Sequence, residues 1–172
     1  MKKNIFKVIL SLSLMIITVN AFSQQTFLQS EAGKKYFTIE SNKAIFYPNG
    51  TNILVHNQYR LTYQTDGNLV LYNNSTPIWS SGIHYAERLE FVPGGFVYQF
   101  SGPWIAWDAQ VYGGASGKII WVLQSDGNFV GYDNFEIQGA SPIYDKTVVV
   151  TGRPFAATGT AGGKKNGKKN LR

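Results

Sequence analysis

From Lys34 to Val150 the chain alternates short runs rich in Tyr, Phe, Val and Ile with clusters of Gly, Asn, Asp and Pro, roughly every 8 to 12 residues. Such a rhythm predicts an all-β protein, and no stretch within it has the periodicity of an amphipathic helix. Candidate strands are Tyr36 to Glu40, Ala44 to Tyr47, Asn52 to His56, Arg60 to Gln64, Leu69 to Tyr72, Pro77 to Ser80, Arg88 to Val92, Phe96 to Phe100, Ile105 to Asp108, Lys118 to Gln124, Phe129 to Tyr132 and Lys146 to Thr151. Within the fifth, alternation sends Leu69 and Leu71 to the core and Asn68, Val70 and Tyr72 to the opposite face.

The polar positions repeat as well. QTDGNLVLY, from Gln64 to Tyr72, returns as QSDGNFVGY from Gln124 to Tyr132, with Gln, Asp, Gly, Asn, Val and Tyr in register. A shorter gapless shift exposes a degraded middle copy, matching Arg60-Leu61 to Arg88-Leu89, Tyr63 to Phe91, Tyr72 to Phe100 and Trp79 to Trp107. Its polar set has become Val92, Gly94, Phe96, Tyr98 and Phe100. Three related units predict a pseudo-threefold arrangement in which each small sheet buries one face against the other two.

The repeated residues suggest a chemistry. In a straight strand Gln64 and Tyr72 would stand roughly 26 Å apart, so they can share a small ligand only if the chain folds back between them. Asp66-Gly67 and Asp126-Gly127 are strong turn dipeptides that would do this. A carboxylate, two amides, a phenol and a valine then suit a ring with neighbouring hydroxyls and a weakly apolar C–H face. The alternative is that Asp66 and Asn68 merely close the turn through local side-chain bonds.

At this point the residues resemble a known family. Gln-x-Asp-x-Asn-x-Val-x-Tyr is similar to the mannose-binding signature of the bulb-type (monocot mannose-binding) lectins, as are Arg60-Leu-Thr-Tyr before it and Pro77-Ile-Trp-Ser-Ser-Gly82 after it. The likeness runs from about Tyr36 to Val150. It implies a β-prism of three four-stranded antiparallel sheets with a tryptophan-lined centre and up to three shallow sugar sites. It also implies that Gln64, Asp66, Asn68 and Tyr72 hydrogen-bond mannose while Val70 packs on it, with Gln124, Asp126, Asn128, Tyr132 and Val130 acting likewise. No site is expected in the middle unit. The step that carries Gln64 to Gln124 would carry Trp79 to Gly139 where an aromatic is expected, so the second motif is expected in a distorted sheet. The family's usual disulfide has no counterpart in a chain without cysteine. Trp79, Trp107 and Trp121 are expected in the core.

Composition adjusts the picture at the ends. Lys2, Lys3 and Lys7 precede an apolar stretch from Val8 to Val19 and a small-residue site at Ala21-Phe22-Ser23, the pattern of a secretory signal peptide cut before Gln24. Its apolar core is short of the roughly 20 residues of a membrane-spanning helix. The expected organisation is a signal peptide over 1–23, one domain over 24–155 and a basic disordered tail over 156–172. The formal net charge of +6 sits in those ends: Lys2, Lys3, Lys7, Lys164, Lys165, Lys168, Lys169 and Arg172 leave 8 of 16 basic residues against 10 acidic ones, a net of −2 for the body. That excludes a basic nucleic-acid-binding surface on the fold.

Other chemistry lacks its groups. His56 and His84 are the two histidines, neither lies in a repeated motif, and no activated serine accompanies them. Asp66 and Asp126 occupy equivalent places in different units, which separates them rather than placing them across one glycosidic bond. GGASGK at Gly113 to Lys118 lacks the first glycine and the final Ser or Thr of a phosphate loop. Nothing has metal-ligand spacing, and no cofactor is needed. The expectation is a secreted, non-catalytic protein binding mannose-type residues of surface glycans. A homodimer exchanging the strand Lys146 to Thr151 is also expected. Alternatives are a lectin-like bacteriocin docking on surface polysaccharide, and a structural module whose motifs only shape hairpins.

Overall fold

The computed structural model describes residues 34–109, 115, 117–138 and 149–160. The expected signal peptide, Gly139 and most of the basic tail lie outside them. Twelve strands form: β1 (Tyr36–Ile39), β2 (Ala44–Phe46), β3 (Asn52–His56), β4 (Tyr59–Tyr63), β5 (Leu69–Asn73), β6 (Thr76–Ser80), β7 (Arg88–Phe91), β8 (Val97–Ser101), β9 (Trp104–Asp108), β10 (Ile119–Leu123), β11 (Phe129–Gln138) and β12 (Val149–Ala157). They make three four-stranded antiparallel sheets, β3-β4-β5-β6, β2-β7-β8-β9 and β1-β10-β11-β12. Each sheet is a three-strand meander completed by one of the first three strands. The N-terminal run thus stitches the three units together, a division that local pattern could not reveal.

The match between first and middle units holds in space: Tyr63 pairs with Leu69 and Phe91 with Val97. Inward positions of all three sheets meet in one core, where Leu61, Leu71, Leu89, Phe91, Trp121 and Phe129 are at most 1% exposed. Trp121 is its centre, with ring centroids 5.1 Å from Phe129, 5.2 Å from Phe91 and 5.4 Å from Phe155. Trp79 and Trp107 meet edge-on at 6.2 Å. Gly131 holds the position of Leu71 and Gln99 in the other units. A Cβ there would lie 2.6 Å from the Phe155 ring and 3.0 Å from Trp121, so the rings on β12 and β10 together demand the missing side chain on β11.

The third unit departs from expectation. β11 continues to Gln138, with register shifts after Gly131 and Asp133, and its partner is β12 rather than a strand near Gly139. Ala156, paired with Gly131, takes the place that Trp79 holds opposite Leu71. The closing strands match as Pro77-Ile-Trp-Ser-Ser-Gly82 and Pro154-Phe-Ala-Ala-Thr-Gly159, a wider separation than that of the two motifs, so one gapless shift could not find both. β12 carries the fold past the domain boundary expected at 155. Ala156 is 2% exposed, and Thr158 and Thr160 are fully buried. β12 pairs with β11 of its own chain, so the segment expected to exchange is bonded at home from Val149 onward.

Candidate functional site

Both intact motifs fold back at the same turn. Gln64 N–H donates to Asn68 O at 2.9 Å and Gly67 N–H to Gln64 O at 3.0 Å; in the third unit the equivalent bonds from Gln124 and Gly127 are 2.8 and 3.0 Å. Gly67 and Gly127 have φ of 82° and 85°, which glycine adopts without strain. Space also restricts them, for a Cβ would lie 2.3 Å from Ala86 O at Gly67 and 2.3 Å from the Tyr59 ring at Gly127. Each hairpin tip is thus seated against a neighbouring part of the prism. The middle hairpin keeps the turn, with Val92 N–H bonding Phe96 O at 3.0 Å and Gly95 at φ 84°, but carries none of the polar groups.

The fold-back brings the motif's ends together. Gln64 Nε2 donates to the Tyr72 hydroxyl at 2.5 Å, and Gln124 Nε2 to Tyr132 at 2.7 Å. With the phenol oxygen accepting, its own proton is left to donate outward, while the glutamine carbonyl remains an acceptor. Desolvation by burial raises the Tyr132 pKa despite the Gln124 bond, so the phenol stays protonated and remains a donor.

Asp and Asn each have two roles. Oδ1 of Asp66 accepts from Asn68 N–H at 3.0 Å, and Oδ1 of Asp126 accepts from Asn128 N–H at 3.0 Å, so the turn-closing alternative holds for one oxygen of each carboxylate. Asn68 Oδ1 accepts from the Ser81 hydroxyl and from Gly82 N–H, both at 3.1 Å. Asn128 Oδ1 accepts from the Thr158 hydroxyl at 3.1 Å and from Gly159 N–H at 2.9 Å. The sequence reading missed Ser81, Gly82, Thr158 and Gly159, although the Ser-Gly and Thr-Gly endings of the two closing strands were the available signal. These bonds fix each asparagine so that its Nδ2 is the group left over. The motif therefore offers two donors, asparagine Nδ2 and tyrosine O–H, alternating with two acceptors, aspartate Oδ2 and glutamine Oε1. Val70 and Val130, each 3% exposed, lie between them as a buried apolar floor.

The sites differ at their edges. His84 Nδ1 lies 2.9 Å from Asp66 Oδ2, a contact that the motif alone does not imply. The His84 bond and the Asn68 backbone bond together hold the Asp66 carboxyl below its ordinary range. His56, by contrast, bonds the carbonyl of Leu123 at 2.7 Å and ties β3 to β10. In the middle unit Phe96, Tyr98 and Phe100 form a ladder of rings with centroids 6.2 and 6.0 Å apart, where the other two units present polar groups. Among the described residues no cluster of His, Cys, Asp or Glu could hold a metal ion, and no helix is long and apolar enough to cross a membrane.

Three four-stranded sheets about a shared aromatic core, two of them carrying a polar hairpin, define a lectin-type β-prism. A mannose-specific lectin of Aloe arborescens is 32% identical over 107 residues, which cover 59% of this chain and 80% of the aloe protein. On that likeness the chain belongs to the bulb-type mannose-binding lectin family. The solved structure of a lectin from Allium sativum has a TM-score of 0.50 at 25% identity, covering 62% of this chain and 100% of that one. A mannose-specific lectin from Crocus vernus, at 18% identity, shares the fold with a TM-score of 0.50 over 63% of this chain and 96% of its own. No protein-family model matches the chain.

Proposed function

We propose that the protein is a secreted lectin that binds terminal mannose or a closely similar sugar on surface glycans through the hairpins of its first and third units. The observation that carries this is the duplication of one polar geometry. The motifs beginning at Gln64 and Gln124 fold into the same turn, the same Gln–Tyr bond and the same asparagine anchoring, although their closing strands are not separated by the same stretch of chain. A hairpin needs only the aspartate and glycine to close, and the middle unit dispenses with even the aspartate. The retained Gln, Asn Nδ2 and Tyr are explained by a ligand with adjacent hydroxyls.

Binding in this reading is hydrogen-bond complementarity without covalent chemistry. Aspartate Oδ2 accepts from one hydroxyl, asparagine Nδ2 and the tyrosine O–H donate to its neighbours, glutamine Oε1 accepts, and the valine meets the sugar's C–H face. A single shallow site of this kind binds at about millimolar, near −4 kcal/mol, so effective capture of a glycan surface requires both sites together. The likeness to mannose-specific relatives and the signal-peptide pattern of residues 1–23 support the sugar and the secretion respectively. The test is titration of the mature chain with methyl α-mannoside beside the double variant Asp66→Asn/Asp126→Asn. Binding by the wild type that disappears in the folded variant supports the reading; silence from a folded wild type across mannosides overturns it.

A further inference from the structure

The two hairpins share their hydrogen-bonding groups but not their rims. At the first, Arg60 stands opposite Tyr72 in the β4–β5 register and lays its guanidinium 4.3 Å from the centre of the Tyr72 ring. The same guanidinium donates to the neutral carbonyl of Asn74, which holds it in place and leaves its charge unanswered. His84 meets Asp66 at the other end of the motif, with its side chain 64% exposed. At the third unit the same register places Ile120 opposite Tyr132. Ile120 is fully buried and belongs to a second apolar cluster with Tyr36 and Val122, against which Phe135, Ile137 and Val150 pack. The offset that carries Gly82 to Gly159 carries His84 to Ala161. Arg153 lies one register step beyond Tyr132, but its charge is answered by Asp133 through a two-point ion pair.

The charges therefore differ. The first rim carries the Arg60 guanidinium beside Tyr72 and the His84 ring beside Asp66, so that with His84 protonated its cations outnumber its one carboxylate. Around the second, Asp133 and Arg153 answer each other, and among the described residues no cation bonds Asp126. An anionic substituent on a sugar is accepted at one rim and repelled at the other. Resting on the lectin reading above, we propose that the first site takes acidic saccharides, sugars bearing a carboxylate or phosphate, while the second takes neutral ones, with Arg60 and His84 drawing the distinction.

Asp66 faces His84 from the β4–β5 hairpin, and the neighbouring charged groups on the chain that follows are engaged elsewhere. Glu87 accepts from Gly102 N–H at 3.1 Å, and Arg88 bonds Glu90 at 2.8 Å. With Nδ1 bonded to Asp66, the exposed Nε2 is an acceptor in the neutral ring and becomes a second donor in the imidazolium.

The experiment is an NMR titration of the labelled protein, with the amides of Gly67 and Gly127 reporting the two sites separately. Methyl α-mannoside is the neutral probe, and methyl α-mannosiduronate and mannose 6-phosphate are the acidic ones. An exposed charge contact corresponds to about a 1.4- to 5-fold change in affinity. The first site should favour the uronate by a factor in this range at neutral pH, where the uronate is ionised. The second should disfavour it. In Arg60→Gln/His84→Asn the first-site ratio of uronate to neutral binding should fall to or below parity. Neutral binding at both sites with equal anion preference, or a ratio indifferent to the double variant, overturns the proposal while leaving the lectin reading intact. Loss of all neutral binding overturns both. If only one acidic probe is favoured, that probe identifies which anion the rim takes.

Discussion

Asp126 closes its own turn with one oxygen and presents the other outward, and the two roles separate on substitution. Asp126→Asn keeps an oxygen that can accept from Asn128 N–H but removes the ionised acceptor. It should leave the thermal midpoint almost unchanged and abolish sugar binding at the third unit, read by calorimetric titration beside a melting curve. Asn128→Ala is a poorer probe despite its place in the motif. It would leave Gly159 N–H without its acceptor and the buried Thr158 hydroxyl with Thr160 Oγ1 as its remaining acceptor, and should cost about 1–3 kcal/mol of stability in chemical denaturation. Loss of binding in that variant would therefore mix a missing donor with a loosened hairpin, whereas the aspartate exchange isolates the charge.

At the scale of elements, the outer face of β7 carries a charge cluster that local pattern hides. Burial raises the Glu90 carboxyl, but bonds from Arg88 at 2.8 Å and Lys43 at 2.9 Å outweigh it and leave the group below its ordinary range. A depressed carboxylate contributes stability that is present above its unfolded pKa, near 4.5, and is lost as pH falls through the lower folded value. Glu90→Gln should therefore cost about 1–2 kcal/mol at neutral pH and flatten the acid limb of the stability curve, as followed by urea unfolding between neutral and acid pH. The closing strand of the third sheet offers a second check. Truncation after Ala157 removes Thr158, whose backbone N–H bonds Phe129 O at 3.0 Å and whose hydroxyl bonds Phe129 N–H at 3.1 Å. The midpoint of thermal unfolding should fall by several degrees, roughly what a loss of 1–2 kcal/mol implies for a domain of this size.

For the whole molecule, the two proposed sites lie on different sheets of one core, so on the lectin reading affinity is a matter of geometry. If both engage one glycan surface, disabling either with Asp66→Asn or Asp126→Asn should reduce retention on a mannan-coated surface far more than it reduces monovalent binding, by about 10- to 100-fold against at most twofold. Equal losses in the two assays would show that the sites never act together. The core that separates them is cross-linked between units. Gln99 of β8, fully buried, donates to Gly67 O in the first hairpin at 2.7 Å, and Tyr63 of β4 donates to Ala86 O ahead of β7 at 3.1 Å. Burial pushes the Tyr63 phenol up to about 12, so this second tie stays protonated through any ordinary assay.

The alternation of apolar and polar residues determined the strands of the first two units and the start of the third, and the repeated motif determined the three units and the two hairpin turns, because strand faces and turn chemistry depend on neighbours a few residues apart. Local order could not decide what depends on distant chain. The deal of β1, β2 and β3 to three different sheets, the pairing of β12 with β11 across a long connection and the seating of each hairpin tip on another unit are such cases. Contacts between residues far apart in the chain settle the finer points, His84 against Asp66 and Gln99 against Gly67. Tertiary packing decided these because a side chain's contact energy is set by which surfaces meet, and a gapless comparison of repeats is blind to a connection that changes length while the surface it returns to stays the same.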